Sequence, residues 1–118
     1  MHKFREIQVN GISTVIEEVG KSNLGPLFGN ALVIKSKHGQ IGKIKIKKGL
    51  PSKVRRFIEE HEKYHIKDWK SKSSWIISEM KANLAAGVKE PLGFLHTTFL
   101  TITDSSRRNY YLKKLLNL

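Results

Sequence analysis

The 118-residue chain carries 22 Lys and Arg against 10 Asp and Glu, a formal charge of +12, with 39 % apolar residues and no cysteine. That length supports one compact domain that buries roughly two thirds of its unfolded surface, leaving no second domain to build a cleft. Without cysteine there are no disulfides, thiolate metal ligands or cysteine nucleophiles, so a metal site must draw on His, Asp or Glu.

In chain order, Phe4 to Val9 reads as a short strand. Gly11 to Val19 places Ile12, Val15, Ile16 and Val19 at helical spacing and stops at Gly20, which predicts a helix backing the sheet. Lys21 to Gly29 is a loop marked by Gly25, Pro26 and Gly29. Ala31 to Lys35 is an apolar strand, Lys37-His38-Gly39 a hairpin turn, and Gln40 to Lys47 the alternating return strand. After the break at Gly49 to Pro51, Ser52 to Trp69 is the clearest helix, with Val54, Phe57, Ile58, His61 and His65 on one face. Ser74 to Val88 is a second long helix. Leu92 to Thr103 is threonine-rich, so helix and strand compete there and helix is favoured. Asp104 and Ser105 can cap a last amphipathic helix, Tyr110 to Leu118. The expected class is α+β: a small three-stranded sheet with a backing helix, followed by helices, in a single domain over residues 1–118.

No apolar run approaches the roughly 20 residues of a membrane span. MHKFREIQVNG lacks the apolar core of a signal peptide, so the expectation is a soluble, cytoplasmic protein without membrane contact. The basic residues are scattered. Their densest strip, Lys43, Lys45, Lys47 and Lys48, alternates with Ile44 and Ile46 as one wet face of a strand. No aromatic platform accompanies it, which favours a solvated surface over a nucleic-acid interface.

His61-Glu62-Lys63-Tyr64-His65 matches H-E-x-x-H inside the strongest helix. Residues four apart share a helix face, so two imidazoles can converge on one ion. Glu62, rotated about 100° from His61, can reach a metal-activated water without being a ligand. Zinc lowers the pKa of water to about 7, and a carboxylate then moves its proton to the leaving amine. The expected cofactor is Zn2+. A catalytic zinc takes three protein ligands and an open position. The third ligand is sought on the next helix, where Glu79 lies among apolar neighbours, and Asn83 one turn later can hydrogen-bond the outer nitrogen of a ligand histidine. H-E-x-x-H also recurs by accident on surfaces; the helical context and the downstream Glu separate this instance from such matches.

These residues resemble the gluzincin metallopeptidases, which combine H-E-x-x-H with a Glu from a following helix, and in size and order resemble the minigluzincins and selecase. Arg55 to Glu60 before the motif, and Glu79-Met80-Lys81-Ala82-Asn83 after it, also look like the ImmA/IrrE regulators. The resemblance covers about Ala31 to Gly87. It implies a zincin-like fold with an active-site helix and a glutamate helix, His61, His65 and Glu79 as ligands, and Glu62 as general base and acid. Asn83 takes the place often held by Asp in related membrane proteases. Lys63 and Tyr64 depart from the small residue and Gly frequent in such motifs, so Tyr64 is expected to point to solvent or the sheet.

The resemblance further implies a peptide or protein substrate laid along a sheet edge. The Ala31–Lys35 strand is favoured for this over the lysine-rich Gln40–Lys47 strand. His96 is a candidate for stabilising the oxyanion, although the favoured reading is a histidine simply packed beside Phe94 and Phe99. Residues 104–118, with Arg107, Arg108, Tyr110, Tyr111 and several leucines, either complete the core or act as a regulatory segment. In the second case the segment or self-association would hold the enzyme latent, with the terminal carboxylate at the metal's open position. Trp69 and Trp75 read as core or rim packing. The leading expectation is a zinc endopeptidase. The alternatives are an ImmA-like protease acting on one repressor, and a non-catalytic basic nucleic-acid-binding or interaction protein.

Overall fold

The computed structural model describes residues 4–20, 23–37 and 39–116. It is an α+β fold with four strands, β1 (Phe4–Val9), β2 (Ile12–Val19), β3 (Gly29–Ser36) and β4 (Gly39–Lys47), then four helices, α1 (Ser52–Lys67), α2 (Trp75–Lys89), α3 (Pro91–Thr103) and α4 (Ser105–Leu116). The sheet order is β1-β2-β4-β3; β2 and β4 run parallel, and the two outer pairs are antiparallel.

The helix expected over Gly11 to Val19 is instead β2, so the sheet has four strands rather than three and no helix backs it within the described part of that segment. The reason lies at Asn10-Gly11. Both residues take positive φ, 51° and 82°, the backbone of a tight hairpin turn whose twist suits the strands on either side. Val9 then pairs with Ile12, and β1 and β2 run back to back to Phe4 and Glu17. Ile12, Thr14 and Ile16 are buried in alternation. The apolar residues at helical spacing belong to a β-branched segment, and Val and Ile side chains pack better on a pleated strand.

β4 lies inside the sheet, between β2 and β3. Gly42, Ile44 and Ile46 face the core, while Lys43, Lys45 and Lys47 lie on the other face as the alternation predicts. Ile44 and Ile46 are fully buried with Val19, Val54 and Ile66, each worth about 1.5–3 kcal/mol relative to exposure. α1 crosses this inner face and touches β1, β3 and β4.

α1, α2 and α3 follow the expected spans closely, whereas α4 begins at Ser105, five residues before the expected Tyr110, because its cap at Asp104 starts the helix there. In α3 the threonines turn inward on their own helix: Thr98, Thr101 and Thr103 hydroxyls donate to the carbonyls of Phe94, Thr97 and Phe99, each at 2.9 Å. Local back-bonding of this kind lets a threonine-rich segment remain helical. α3 also lies hard against α1 at Gly93, where an added Cβ would come within 2.3 Å of the Lys53 carbonyl oxygen and 2.8 Å of Phe57 Cβ. The Asp104 carboxylate caps α4 by accepting the Arg107 backbone N–H at 3.1 Å. Among the described residues no helix is long and apolar enough to cross a membrane.

Candidate metal centre

α1 owes its length to one apolar stripe, Val54, Phe57, Ile58 and Ile66, that sinks into the core. His61 and His65 continue the edge of this stripe one turn apart, half-buried, with ring centroids 4.8 Å from each other. α2 packs beside α1 through the fully buried Ala82 and Ala86. The small residues that permit close approach therefore come from α2. Tyr64 points away from the centre, lining a depression toward the sheet with Ile7, Val9 and Ala85.

This packing aims Glu79 at both imidazoles. Its Oε2 lies 2.8 Å from His61 Nε2 and 3.4 Å from His65 Nε2, and the two Nε2 atoms are 3.1 Å apart. Three donor atoms from two helices thus form a compact triangle, a group able to hold a metal ion. Burial works to raise the Glu79 carboxyl, but hydrogen bonds and charge from His61 and His65 outweigh it and hold the group at about 2. His61 shows the reciprocal effect. Burial disfavours its cation, yet the Glu79 hydrogen bond, the Glu62 and Glu79 charges and Asn83 together raise it above 6.5.

Glu62 points into the same space from the buried side. Burial pushes its carboxyl above the ordinary range, partly offset by His61 and His65. Gly29, at the start of β3, gives it room: a Cβ there would sit 3.4 Å from Glu62 Oε2, 2.8 Å from Ile58 Cγ2 and 2.9 Å from the Lys45 carbonyl oxygen. Asn83 and His61 line one cavity, and His61 Nδ1 is buried without a hydrogen-bond partner, so the outer nitrogen is left for Asn83 or a bound water to satisfy.

Two openings meet at these residues. A cavity of about 310 Å³ contains His61, Glu62, Glu79 and Asn83 and is otherwise walled mostly by apolar groups such as Phe28, Phe57 and Ile76, with Thr97, Thr98 and Thr101 of α3 among them. A smaller one, about 270 Å³, holds both histidines, Glu62 and Glu79 together with Gly29, Asn30 and Ala31 of β3. His96 lines neither opening, so the structure does not bring it to the centre. Tyr111 of α4 lines both. Burial and the nearby Glu79 and Glu62 charges push its hydroxyl up to about 12, and its ring stacks on Trp75 at 6.3 Å. The sequence pattern grouped Tyr111 with a generic amphipathic tail and read Trp75 as packing. Neither spacing nor composition marks either residue as lining this centre.

Neither family models, nor curated proteins, nor solved structures yield a match to this chain. The case for function therefore rests on the centre itself.

Proposed function

We propose that this chain is a zinc-dependent peptidase of the minimal gluzincin kind, with His61, His65 and Glu79 as metal ligands and Glu62 as the proton carrier. The triangle of donors carries this reading. Zinc bonds of 2.0–2.1 Å in a tetrahedron place ligand atoms about 3.3 Å apart. The separations here, 2.8, 3.1 and 3.4 Å, lie within about half an ångström of that edge, which supports the reading. Two imidazoles and a carboxylate are also a ligand set that leaves a fourth position for water or substrate.

When bound, zinc would supply an acidified water and polarise the scissile carbonyl. Glu62 accepts the proton of the attacking water at a carboxylate oxygen and returns it to the leaving amine, a task suited to a carboxyl raised by burial. β3 is a sheet edge and β4 is not, so of these two strands only Gly29–Ser36 can pair with an extended substrate. Asn30 and Ala31 place that edge at the opening which holds both histidines. The 310 Å³ apolar cavity accommodates one large apolar substrate side chain beside the cleaved bond.

α4 bears on whether the centre is open. Tyr110 and Tyr111 crowd the β3-side opening and Leu115 enters the cavity. Arg107 lies 3.8 Å over the Phe28 ring, and Lys114 caps Trp75 and Tyr110. α4 thus acts as a cover that keeps the enzyme latent. The terminal carboxylate weighed for that role lies outside the described residues.

The deciding experiment measures metal content by mass spectrometry and cleavage of quenched peptides, in the full chain and in one ending at Asp104. Stoichiometric zinc with chelator-sensitive cleavage in at least one form is expected. Absence of bound zinc, or cleavage that survives Glu62→Ala, rejects the proposal.

A further inference from the structure

We infer that the outer faces of α2 and α3 form the contact between two copies of this chain. On α2, Ile77, Met80, Leu84 and Val88 follow one stripe. On α3, Leu92, Leu95, Phe99 and Ile102 follow another. All eight are between 43 and 76 % exposed. Side chains of this size carry roughly 200 Å² each, so the two stripes leave on the order of 1,000 Å² of apolar surface in water. Soluble monomers rarely show a patch beyond a few hundred Å². A stable protein–protein contact needs about 800 Å² from each partner, and these stripes alone provide it.

Spacing and charge identify the occupant. Leu92, Leu95, Phe99 and Ile102 repeat at intervals of three and four, the narrow seam that another helix fills by knobs-into-holes packing. α2 and α3 enclose an apolar groove between Ile77, Leu84 and Val88 on one side and Pro91, Phe94 and Leu95 on the other. The stripes are thus both ridge and groove, as a two-fold contact requires. α3 has no Asp, Glu, Lys or Arg from Pro91 to Thr103, so the α3 stripes of two copies of a chain with charge +12 can meet without opposing like charges, with Lys81 of α2 at the edge of the groove. The same fact disfavours a lipid surface. A helix lying in a membrane interface is rich in Lys and Arg beside its apolar face, and α3 has neither between Pro91 and Thr103.

This inference does not depend on metal or catalysis, although Met80, Asn83 and Phe94 line both the groove and the metal-centre cavity, so a second copy borders the site. Sedimentation of the full chain across micromolar concentrations is expected to show twice the 13.5 kDa monomer mass. The double variant Leu95→Glu, Phe99→Glu is expected to sediment as a monomer with unchanged circular dichroism. Because the chain lacks cysteine, spin labels at Leu92→Cys and at Lys43→Cys give a second measurement that does not rely on the glutamate variant folding. Strong coupling between copies is expected at the first position and none at the second, on the outer sheet face. A wild-type chain that stays monomeric, a dimer untouched by both glutamates, coupling at Lys43→Cys alone, or a monomer that co-sediments with phosphatidylserine vesicles each overturns the inference.

Discussion

Replacing Glu79 by Ala removes the one oxygen that both imidazoles share, at 2.8 Å from His61 and 3.4 Å from His65. Metal binding to a four-ligand protein site is worth about 10–16 kcal/mol, or roughly 3 kcal/mol per ligand, so losing one ligand weakens affinity by at least about a hundredfold. Thermal unfolding converts this into a temperature. With zinc at a hundred times Kd, the wild-type chain gains about 2.7 kcal/mol, and in a domain of this size that raises Tm by roughly 10 °C. At the same zinc concentration a hundredfold weaker site gains only about 0.4 kcal/mol, a rise of roughly 1–2 °C. The variant also loses the histidine–carboxylate contacts of the metal-free protein, so the quantity to compare is the zinc-dependent increment and not Tm itself. Differential scanning calorimetry of both proteins, with and without zinc, measures that increment. If Glu79→Ala keeps the full wild-type increment, α2 does not supply the third ligand and the proposed centre is wrong.

Glu62→Gln leaves the donor triangle intact, so it should keep the zinc increment while peptide cleavage falls by about 10²–10⁴-fold; loss of both together points to a structural role for Glu62. Gly93→Ala forces a Cβ against the Lys53 carbonyl and should cost about 1–3 kcal/mol, seen as a lower urea midpoint, and an unchanged midpoint contradicts the close α1–α3 packing. In metal-free protein, His61 is raised above 6.5, so its contribution is complete below that pH and is lost as pH rises through the higher folded value. Glu62, raised above 4.5, has the same sign, whereas Glu79, held at about 2, contributes above 4.5 and loses that contribution as pH falls toward 2. Metal-free Tm should therefore fall between pH 6 and 8 while the zinc increment grows, because zinc displaces the His61 proton; parallel curves with and without zinc argue against His61 as a ligand. Ending the chain at Asp104 should raise cleavage of unstructured peptides, whereas Tyr111→Phe, which keeps the stack on Trp75, should change it little. A loss of activity in both cases assigns Tyr111 to the chemistry rather than to a cover.

The donor set was legible in the sequence because it rides on the most regular part of the chain. His61 and His65 extend the stripe that Val54, Phe57 and Ile58 begin, and Glu79 follows on the next helix after a short polar loop. Helical periodicity fixes such positions to within a fraction of a turn. β2 was not legible for the opposite reason. Ile12, Val15, Ile16 and Val19 satisfy a helix, while Ile12, Thr14 and Ile16 satisfy a strand, and local apolar spacing alone cannot choose between them. The decision came from Asn10-Gly11, a turn signal two residues long, and from a partner, β4, more than twenty residues away. Tyr111 and Gly29 lie beyond any local pattern. Each reaches the centre through tertiary packing, one from α4 and one from the edge of the sheet.

That division bears on how a chain this small can bring two imidazoles and a carboxylate together at all. The face of α1 that buries Phe57, Ile58 and Ile66 is the face that bears His61 and Glu62, so the register of the core and the register of the donors are one. A slip of α1 by one residue would turn both away together. The third donor depends on the α1–α2 contact, held close by Ala82 and Ala86. Enlarging either alanine would move Glu79 bodily, without touching a ligand. The centre's geometry is therefore a property of packing shared with the core. This leaves β3, α4 and the exposed stripe of α2 free to vary in what they admit, cover or dock without disturbing the triangle of His61, His65 and Glu79.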